Sequence, residues 1–574
     1  MRWPLQSNIA LPGRPSPLAA APALLVAAML LPVAAGLAAT LAPAFGWFPA
    51  LGGGVVSLRP FADFFALPEV PGAIAATLRT GLAATALSLV IAVALAVVAR
   101  HGAVRRAADA IVAPLLATPH AALAIGLGFL LAPSGWIVRA LSPGLTGWHV
   151  PPDIATVQDP LGAALVLGLC VKEVPYLLLM TLAALAQADA PASRVVAASL
   201  GYGPWRAWAL VVLPRVWPQL RLPVAAVLSF SLSVVDVALI LGPGNPPTLA
   251  VLVLRLFNDP DLGRWFPACA GAVVLAGIVL AALGLLFALE RLLARLGRVL
   301  ARSGARGGDG RGADGLAGAI GAVLAALGAG ALAVLVVWSF AGVWRFSDAL
   351  PARWSGATWQ AQAPALSGPA QATLFIGLAA TLLALLLVVP CLENERRTGR
   401  TPRRALALLY VPLLVPQIAF LSGMQQALLR LHLDGGAVAL VWAHLVFVLP
   451  YVFLSLADPW RALDERLLRS AACLGASPWR VRLRVTLPLL ARPLLAAAAV
   501  GFAVSVGLYL PTLFAGAGRV ASLTTEAVTL ASGADRRIVA ATALLQAAFP
   551  LVFYALAVGL PSWRARHRRG LALQ

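Results

Sequence analysis

Long apolar runs, each closed by a short polar or Pro- and Gly-containing stretch, follow one another along nearly the whole of this chain. They centre near Ala28, Leu89, Ala121, Leu167, Leu228, Ala276, Ala331, Leu382, Leu413, Phe447, Ala499 and Leu551. Crossing the ~30 Å hydrocarbon core takes about 20 apolar residues per helix, so the pattern predicts about twelve spans. In lipid only helices and closed barrels satisfy every backbone N–H and C=O, and runs this long and continuous favour helices. The first run, from about Leu18 to Leu41, follows Arg2 and Arg14. It exceeds the roughly 7–15-residue core of a secretory signal and reads as a first transmembrane helix.

An even number of spans puts both termini on one side, and the basic residues choose the side. Arg100, Arg105 and Arg106, the cluster Arg396, Arg397, Arg400, Arg403 and Arg404, and the tail Arg564, Arg566, Arg568 and Arg569 all fall on one face, which the positive-inside rule makes cytoplasmic. The opposite loops mix their charges, as in Arg59 with Asp63 and Glu69 or Arg255 with Asp259, Asp261 and Arg264. They carry Trp148, Trp265, Trp344 and Trp354 as interface anchors.

Composition agrees: 61% of the 574 residues are hydrophobic, 11% are charged, and the mean hydropathy is +0.89, which a water-soluble domain of this size does not carry. The net charge of +21 raises the question of nucleic acid, but the arginines lie in short loops between apolar runs and serve as a topology signal. No nucleic-acid partner is expected. Lys172 is the only lysine. Cys170, Cys269, Cys391 and Cys473 show neither CxxC nor metal-ligand spacing and read as reduced, structural thiols.

Between the sixth and seventh runs lies Ala301-Arg-Ser-Gly-Ala-Arg-Gly-Gly-Asp-Gly-Arg-Gly-Ala-Asp314, a Gly-rich polar stretch without apolar periodicity. It divides the chain into a first half, residues 1–300, a cytoplasmic linker, 301–314, and a second half, 315–574. The halves are related. Leu200-Gly-Tyr-Gly-Pro-Trp-Arg206 followed by Leu213-Pro214 recurs as Leu474-Gly-Ala-Ser-Pro-Trp-Arg480 followed by Leu487-Pro488. The offset is 274 residues at Gly201 and Gly475, at Pro204 and Pro478, and at Pro214 and Pro488. Upstream, Pro175-Tyr176 and Pro450-Tyr451 recur at an offset of 275.

Both copies fall in the predicted cytoplasmic loop between the fourth and fifth spans of their half. Gly201 and Gly475 permit a sharp backbone bend, Pro204 and Pro478 open a short helix, and Pro214 and Pro488 mark where the chain turns back to the membrane. Each loop then presents a short helix across the membrane face, with Trp205 and Arg206, or Trp479 and Arg480, offered to a partner's groove.

The chain resembles the permease subunits of ABC importers. Their cytoplasmic EAA loop is typically Glu-Ala-Ala, three residues, Gly, and a Leu-Pro whose proline falls thirteen residues after the Gly, as Pro214 follows Gly201 and Pro488 follows Gly475. Where the family has Glu-Ala-Ala, this chain has Val195-Val196-Ala197 and Arg469-Ser470-Ala471, so the acidic anchor is missing from both halves. Two fused core domains, about 75–296 and about 367–560 with EAA-like loops at 195–214 and 469–488, look like the permeases of thiamine and ferric-iron importers. The resemblance covers nearly the whole chain outside the first span, the linker and the tail.

It implies an all-α polytopic membrane protein of the type I ABC importer permease fold, in the inner membrane. Two copies of an ATPase subunit would dock on the loops, a soluble substrate-binding protein would dock on the outer side, and the substrate would be thiamine-like or ferric iron. This chain binds no cofactor of its own and cannot supply the ATPase. A P-loop needs Gly-x4-Gly-Lys-Ser/Thr, and the one lysine stands between Val171 and Glu173 in an apolar run.

Charges within the spans are the other candidates for function. Lys172-Glu173 lies in the fourth span and Asp236 in the fifth, where a charge at the helix centre costs about 2.5–3.5 kcal/mol on the insertion scale. The second half has Phe447 and Val448 at the places of Lys172 and Glu173. Two readings stand: an ion pair locking two helices, or a polar patch on the translocation path. His444 in the tenth span is a weaker candidate, since a lone membrane histidine more often bonds a neighbouring helix. Gly242-Pro-Gly-Asn-Pro-Pro247, running through Leu249–Phe257 to Asn258-Asp-Pro-Asp261, is a candidate docking place for the binding protein.

Two rivals share part of the pattern. An ion-coupled secondary transporter also has 6 + 6 helices and a central linker, but here the repeat lies between spans four and five, and Arg100–Arg106 and Arg396–Arg404 lack an Asp-Arg core. A membrane enzyme needs clustered catalytic groups, whereas His101, His120, His149, His432, His444 and His567 are scattered, with no HExxH and no nucleophile motif.

Overall fold

A computed structural model describes residues 17–565 apart from 100, 189, 305, 309 and 400–406. Arg2, Arg14, Arg100, Arg400, Arg403, Arg404, Arg566, His567, Arg568 and Arg569 lie outside the described residues. The fold is all-α but for a two-residue hairpin pairing Trp47–Phe48 with Gly53–Gly54. Ten described helices are long and apolar enough to cross a membrane, and a pair bent by 70°, Trp479–Leu489 with Ala491–Gly507, makes an eleventh. This count, made among the described residues, fits the expected all-α polytopic membrane protein of about twelve spans. Among the described residues, the run near Leu413 holds the short helices Val411–Leu414 and Gln417–Arg430, and the longer of these has 14 residues, too few to cross alone.

The leading helix is α1 (Ala21–Ala44). The first half continues with α2 (Val70–Val98), α3 (Gly102–Ala117), α4 (His120–Leu131), α5 (Ala163–Gln187), α6 (Ala190–Ser199), α7 (Pro204–Ala207), α8 (Leu213–Ser233), α9 (Asp236–Leu241), α10 (Leu249–Phe257) and α11 (Trp265–Arg302). The second comprises α12 (Arg311–Ser339), α13 (Ala357–Thr398), α14 (Gln417–Arg430), α15 (Ala437–Arg461), α16 (Glu465–Cys473), α17 (Pro478–Val481), α18 (Ala491–Gly507), α19 (Leu510–Gly516), α20 (Leu523–Ala531) and α21 (Arg536–Ala565). From α5 and α15 onward each element of one half has a counterpart in the other: both α5 and α15, and both α10 and α20, are displaced by 274 residues at each end. The repeat seen in one loop therefore extends through the whole core of each half. Helices α11 and α12 run into the Gly-rich linker from both sides, one ending at Arg302 and the other beginning at Arg311.

The leading helix of each half packs on the other half. α1 lies on α14 and α12 on α4. Lipid offers no hydrophobic drive to bring helices together, so close backbone approach through small residues supplies the attraction. At the first crossing a β-carbon on Gly423 would stand 1.9 Å from the Gly36 oxygen, and one on Gly36 would stand 2.2 Å from the Phe420 oxygen. At the second, a β-carbon on Gly126 would stand 2.2 Å from the Ala331 oxygen. Thr40 and Ser422 share a buried hydroxyl contact of 3.2 Å, and the Trp442 indole donates to the Ala28 carbonyl at 3.0 Å. One hydrophobic cluster consequently runs through both halves, from Val33 to Ala547.

Gly423→Val should cost more than the ~1–3 kcal/mol of ordinary overpacking, because backbone and not a side-chain tip is in the way. Size-exclusion chromatography in mild detergent should show the folded peak lost, whereas Gly277→Val, with open space around it, keeps the peak.

Candidate functional site

The two repeated loops share one backbone. Helices α6 and α16 each end in a Schellman motif. The Gly201 and Gly475 N–H groups donate to the carbonyls of Ala198 and Ala472, both at 2.9 Å. The next N–H groups, of Tyr202 and Ala476, donate to Ala197 at 3.0 Å and Ala471 at 3.1 Å. Both glycines sit in the left-handed region, with φ +80° and +83°, where a β-carbon is strained. Pro204 and Pro478 then open α7 and α17.

Next comes a π-helical turn in each half, Trp208–Val212 and Arg482–Thr486. It stands just before Pro214 and Pro488, whose rings would otherwise press on the carbonyl four residues back and whose missing N–H would break the α-helical ladder. In the first half this widened turn absorbs the proline, and Pro204–Ser233 is one continuous helical path. Pro214 therefore does not turn the chain, contrary to expectation. In the second half the bend of 70° comes at Leu490, directly after the Leu487–Leu489 turn that holds Pro488.

The loops differ in what anchors them. Trp208 is buried against an apolar cluster with Val97, Leu177, Leu178 and Val216. Its counterpart Arg482 instead joins a charged group at the end of α13. Glu393 lies 3.7 Å from Arg482 and 2.8 Å from Arg396, and Glu395 takes a 2.9 Å contact from Arg461. Glu393 and Glu395 were not singled out in the sequence, although two acids at the end of an apolar run were a visible signal. At the Glu-Ala-Ala positions Val195 is 70% exposed and Arg469 bonds Glu465 at 2.6 Å, so neither half offers a carboxylate there. The two tryptophans also part company. Trp479 is 64% exposed, as a docking side chain must be, but the Trp205 indole donates to Asp314 at 2.9 Å and lies against the chain's own linker. Trp205 is not free for a partner, which corrects the sequence expectation.

Where the long helix of the fifth span ends in each half, the chain breaks and a short second helix follows. α8 stops at Ser233, Val234 is extended (φ −63°, ψ 137°), and α9 begins at Asp236. α18 stops at Gly507, Leu508 is extended (φ −77°, ψ 113°), and α19 begins at Leu510. Breaks at membrane depth are tolerated only inside protein or along a cavity, and in transporters they mark the substrate path.

The short helices beyond the breaks, α10 and α20, are held from outside. Thr77 on α2 accepts from the Leu249 N–H at 2.7 Å, and Thr373 on α13 accepts from the Leu523 N–H at 2.9 Å. Leu249–Phe257, read in the sequence as part of a docking loop, is thus a buried re-entrant helix of which only Arg255 is exposed. Its fully apolar remainder prefers the interior to the surface.

The intramembrane charges do not form the expected pair. Lys172 donates to the carbonyls of Leu115 at 2.9 Å, Leu116 at 3.0 Å and Thr118, capping the C-terminal end of α3, and among the described residues no acid lies within 4 Å of it. A cation suits carbonyls left unpaired at a helix end. Glu173 instead faces His120 at 3.5 Å, and the His120 ring packs on Phe230 at 4.8 Å. Asp236 and Tyr509 stand beside the two breaks and within electrostatic reach of each other, as are Asp236 and His120. His120 had been only one of six scattered histidines, and nothing local in the sequence marks its approach to Glu173.

Two further contacts join the halves. Ser229 donates to the Leu414 carbonyl at 2.7 Å on the loop side, and Phe257 meets Phe514 edge-on at 5.9 Å on the far side. His444 spans the second break, with Nδ1 2.7 Å from Ser505 and Nε2 3.0 Å from Thr512. Both ring nitrogens are engaged, so it serves as a brace between α15 and the two helix pieces.

No family model matches the sequence. The chain is 34% identical over 521 residues to the inner membrane ABC transporter permease protein YnjC of Escherichia coli (strain K12), covering 90% of this chain and 93% of that protein. The chain belongs to the ABC transporter permeases. Two further relatives match one part each. A putative 2-aminoethylphosphonate transport system permease protein, PhnV of Salmonella typhimurium, is 30% identical over 31% of this chain and 67% of its own length. The molybdenum transport system permease protein ModB of Mycobacterium bovis is 35% identical over 24% of this chain and 58% of its own. This permease is accordingly a multi-pass inner-membrane subunit of an ABC importer with two fused domains, and it works with ATPase and substrate-binding partners. The secondary-transporter and membrane-enzyme readings fall away.

Replacing Lys172 by Met leaves three carbonyls at the α3 end without their donor, each an uncompensated polar group worth ~1–3 kcal/mol. The permease's Tm in detergent should fall by several degrees, while Arg59→Met, in an exposed pair, leaves it unchanged.

Proposed function

We propose that this permease couples two copies of a separate ATPase, docked on α6 and α16 at the cytoplasmic face, to a substrate path that passes the breaks at Val234 and Leu508. The observation carrying the reading is the shared loop backbone, a Schellman bend, a short helix and a π-turn before proline, repeated at 274 residues in both halves. Twin loops fit twin partners. The arginine-rich face and the positive-inside rule favour cytoplasmic termini, and the far face is left to the soluble binding protein. ATP is hydrolysed on the partner, because the only lysine of this chain is spent on helix carbonyls.

The substrate reading rests on the group between the breaks. Glu173, Asp236 and the tyrosine at 509 favour a substrate bearing a cationic group, which thiamine or ferric iron would satisfy. The amine of 2-aminoethylphosphonate, named for PhnV, would do so too. Lys172 turns its ammonium to the α3 end, where it bonds helix carbonyls and not these acids.

Affinity purification in mild detergent tests the coupling. The ATPase should co-purify at two copies per chain, and the double substitution Gly201→Val with Gly475→Val should release it while the permease stays folded, because each bend takes ~1–2 kcal/mol of left-handed strain. Retention of the ATPase by the folded double variant would refute docking through these loops.

A further inference from the structure

The first coupling loop is covered by the permease's own linker. Arg306, Gly308, Gly310 and Asp314 of the linker lie against α7 and the turn before it through a series of specific contacts. The Gly203 N–H donates to the Arg306 carbonyl at 2.9 Å, and the Arg306 guanidinium sits over the Tyr202 ring at 4.8 Å. Asp314 accepts from the Trp205 indole at 2.9 Å and reaches His101 at 3.4 Å, tying the linker to the α2–α3 turn as well. The approach is close enough to require glycine on both sides. A β-carbon on Gly203 would stand 2.1 Å from the Gly308 oxygen, and one on Gly310 would stand 2.4 Å from Trp205 Cδ1.

The same residues are where the two loops differ in sequence. Within the shared Leu-Gly-x-x-Pro-Trp-Arg, the variable pair is Tyr202-Gly203 in the first half and Ala476-Ser477 in the second. Tyr202 supplies the ring under Arg306 and Gly203 the space for Gly308, and the second half has neither. Its Trp479 is 64% exposed and its Leu474 88% exposed.

We propose that the linker is a clasp fixed over the first coupling loop, so that the two ATPase-docking surfaces are unlike and the second, through Trp479, is the stronger anchor. This rests on the importer reading above. The first surface then consists of the apolar α6 residues Val195, Val196 and Leu200 beside the linker's Arg306. The second offers an uncovered aromatic, the residue type that dominates interface energetics. One chain thereby presents two identical ATPases with one strong and one weak grip.

Two readouts on the full-length permease test this, trypsin cleavage at Arg306 and ATPase retention on a pull-down. Trp205→Ala, and independently Asp314→Ala with the indole left in place, should speed cleavage at least about tenfold and leave ATPase retention within about threefold of the parent. Trp479→Ala should do the reverse, leaving cleavage unchanged and weakening ATPase association at least about tenfold. Cleavage unaffected by both Trp205→Ala and Asp314→Ala would overturn the clasp, and equal ATPase loss from Trp205→Ala and Trp479→Ala would overturn the unequal grip. If the parent permease retains no ATPase, the importer reading fails instead, while the cleavage arm still reports on the clasp.

Discussion

In hydrocarbon an unpaired backbone amide or carbonyl costs several kcal/mol, and this permease interrupts a membrane helix twice, at Val234 and at Leu508. Much of the fold follows from the need to keep lipid and bulk water away from those two breaks. Each half packs its own break, α9 against α4 and α5 and α19 against α14 and α15, and the other half covers these helices in turn: α1 lies on α14 and α12 on α4, at glycine-mediated approaches that let the backbones touch. Beyond the breaks, α10 and α20 fold back into the protein, and their first amides are taken up by Thr77 and Thr373.

On this common scaffold the two halves carry different chemistry. The first places Glu173, His120 and Asp236 near the break, whereas the second places Tyr509 there and uses His444 as a brace. The loops are anchored by apolar packing around Trp208 in one half and by Glu393 and Glu395 with their arginines in the other. Fusion of the halves in one chain permits this. Each copy can specialise, as a homodimer's two copies cannot.

The loops were the part most legible in the sequence, because their geometry is local. A glycine is needed where φ is positive and a proline at the first helical turn, so Gly201, Gly475, Pro204 and Pro478 announce the bend by type and spacing alone. The spans were legible for a similar reason, apart from the short α14. What stayed hidden depends on residues far apart in the chain. Lys172 and Glu173 are adjacent in sequence, yet one turns to the end of α3 and the other to His120, a choice made by helix packing. Trp205 and Trp479 have the same local surroundings, and the linker, about a hundred residues from the first, leaves one half-buried and the other exposed. The apolar run Leu249–Phe257 reads equally well as a surface helix or a buried one until α2 supplies Thr77.

The central claim is that ATPase closure at the loops is transmitted to the two inter-half contacts flanking the breaks. Cysteine cross-linking of Phe257→Cys with Phe514→Cys, and of Ser229→Cys with Leu414→Cys, measures this in the assembled importer with and without trapped ATP. The account predicts opposite responses: ATP lowers cross-linking of the 257–514 pair on the far side and preserves or raises it for the 229–414 pair on the loop side. Two pairs that change in the same sense, or that ignore nucleotide, would contradict it.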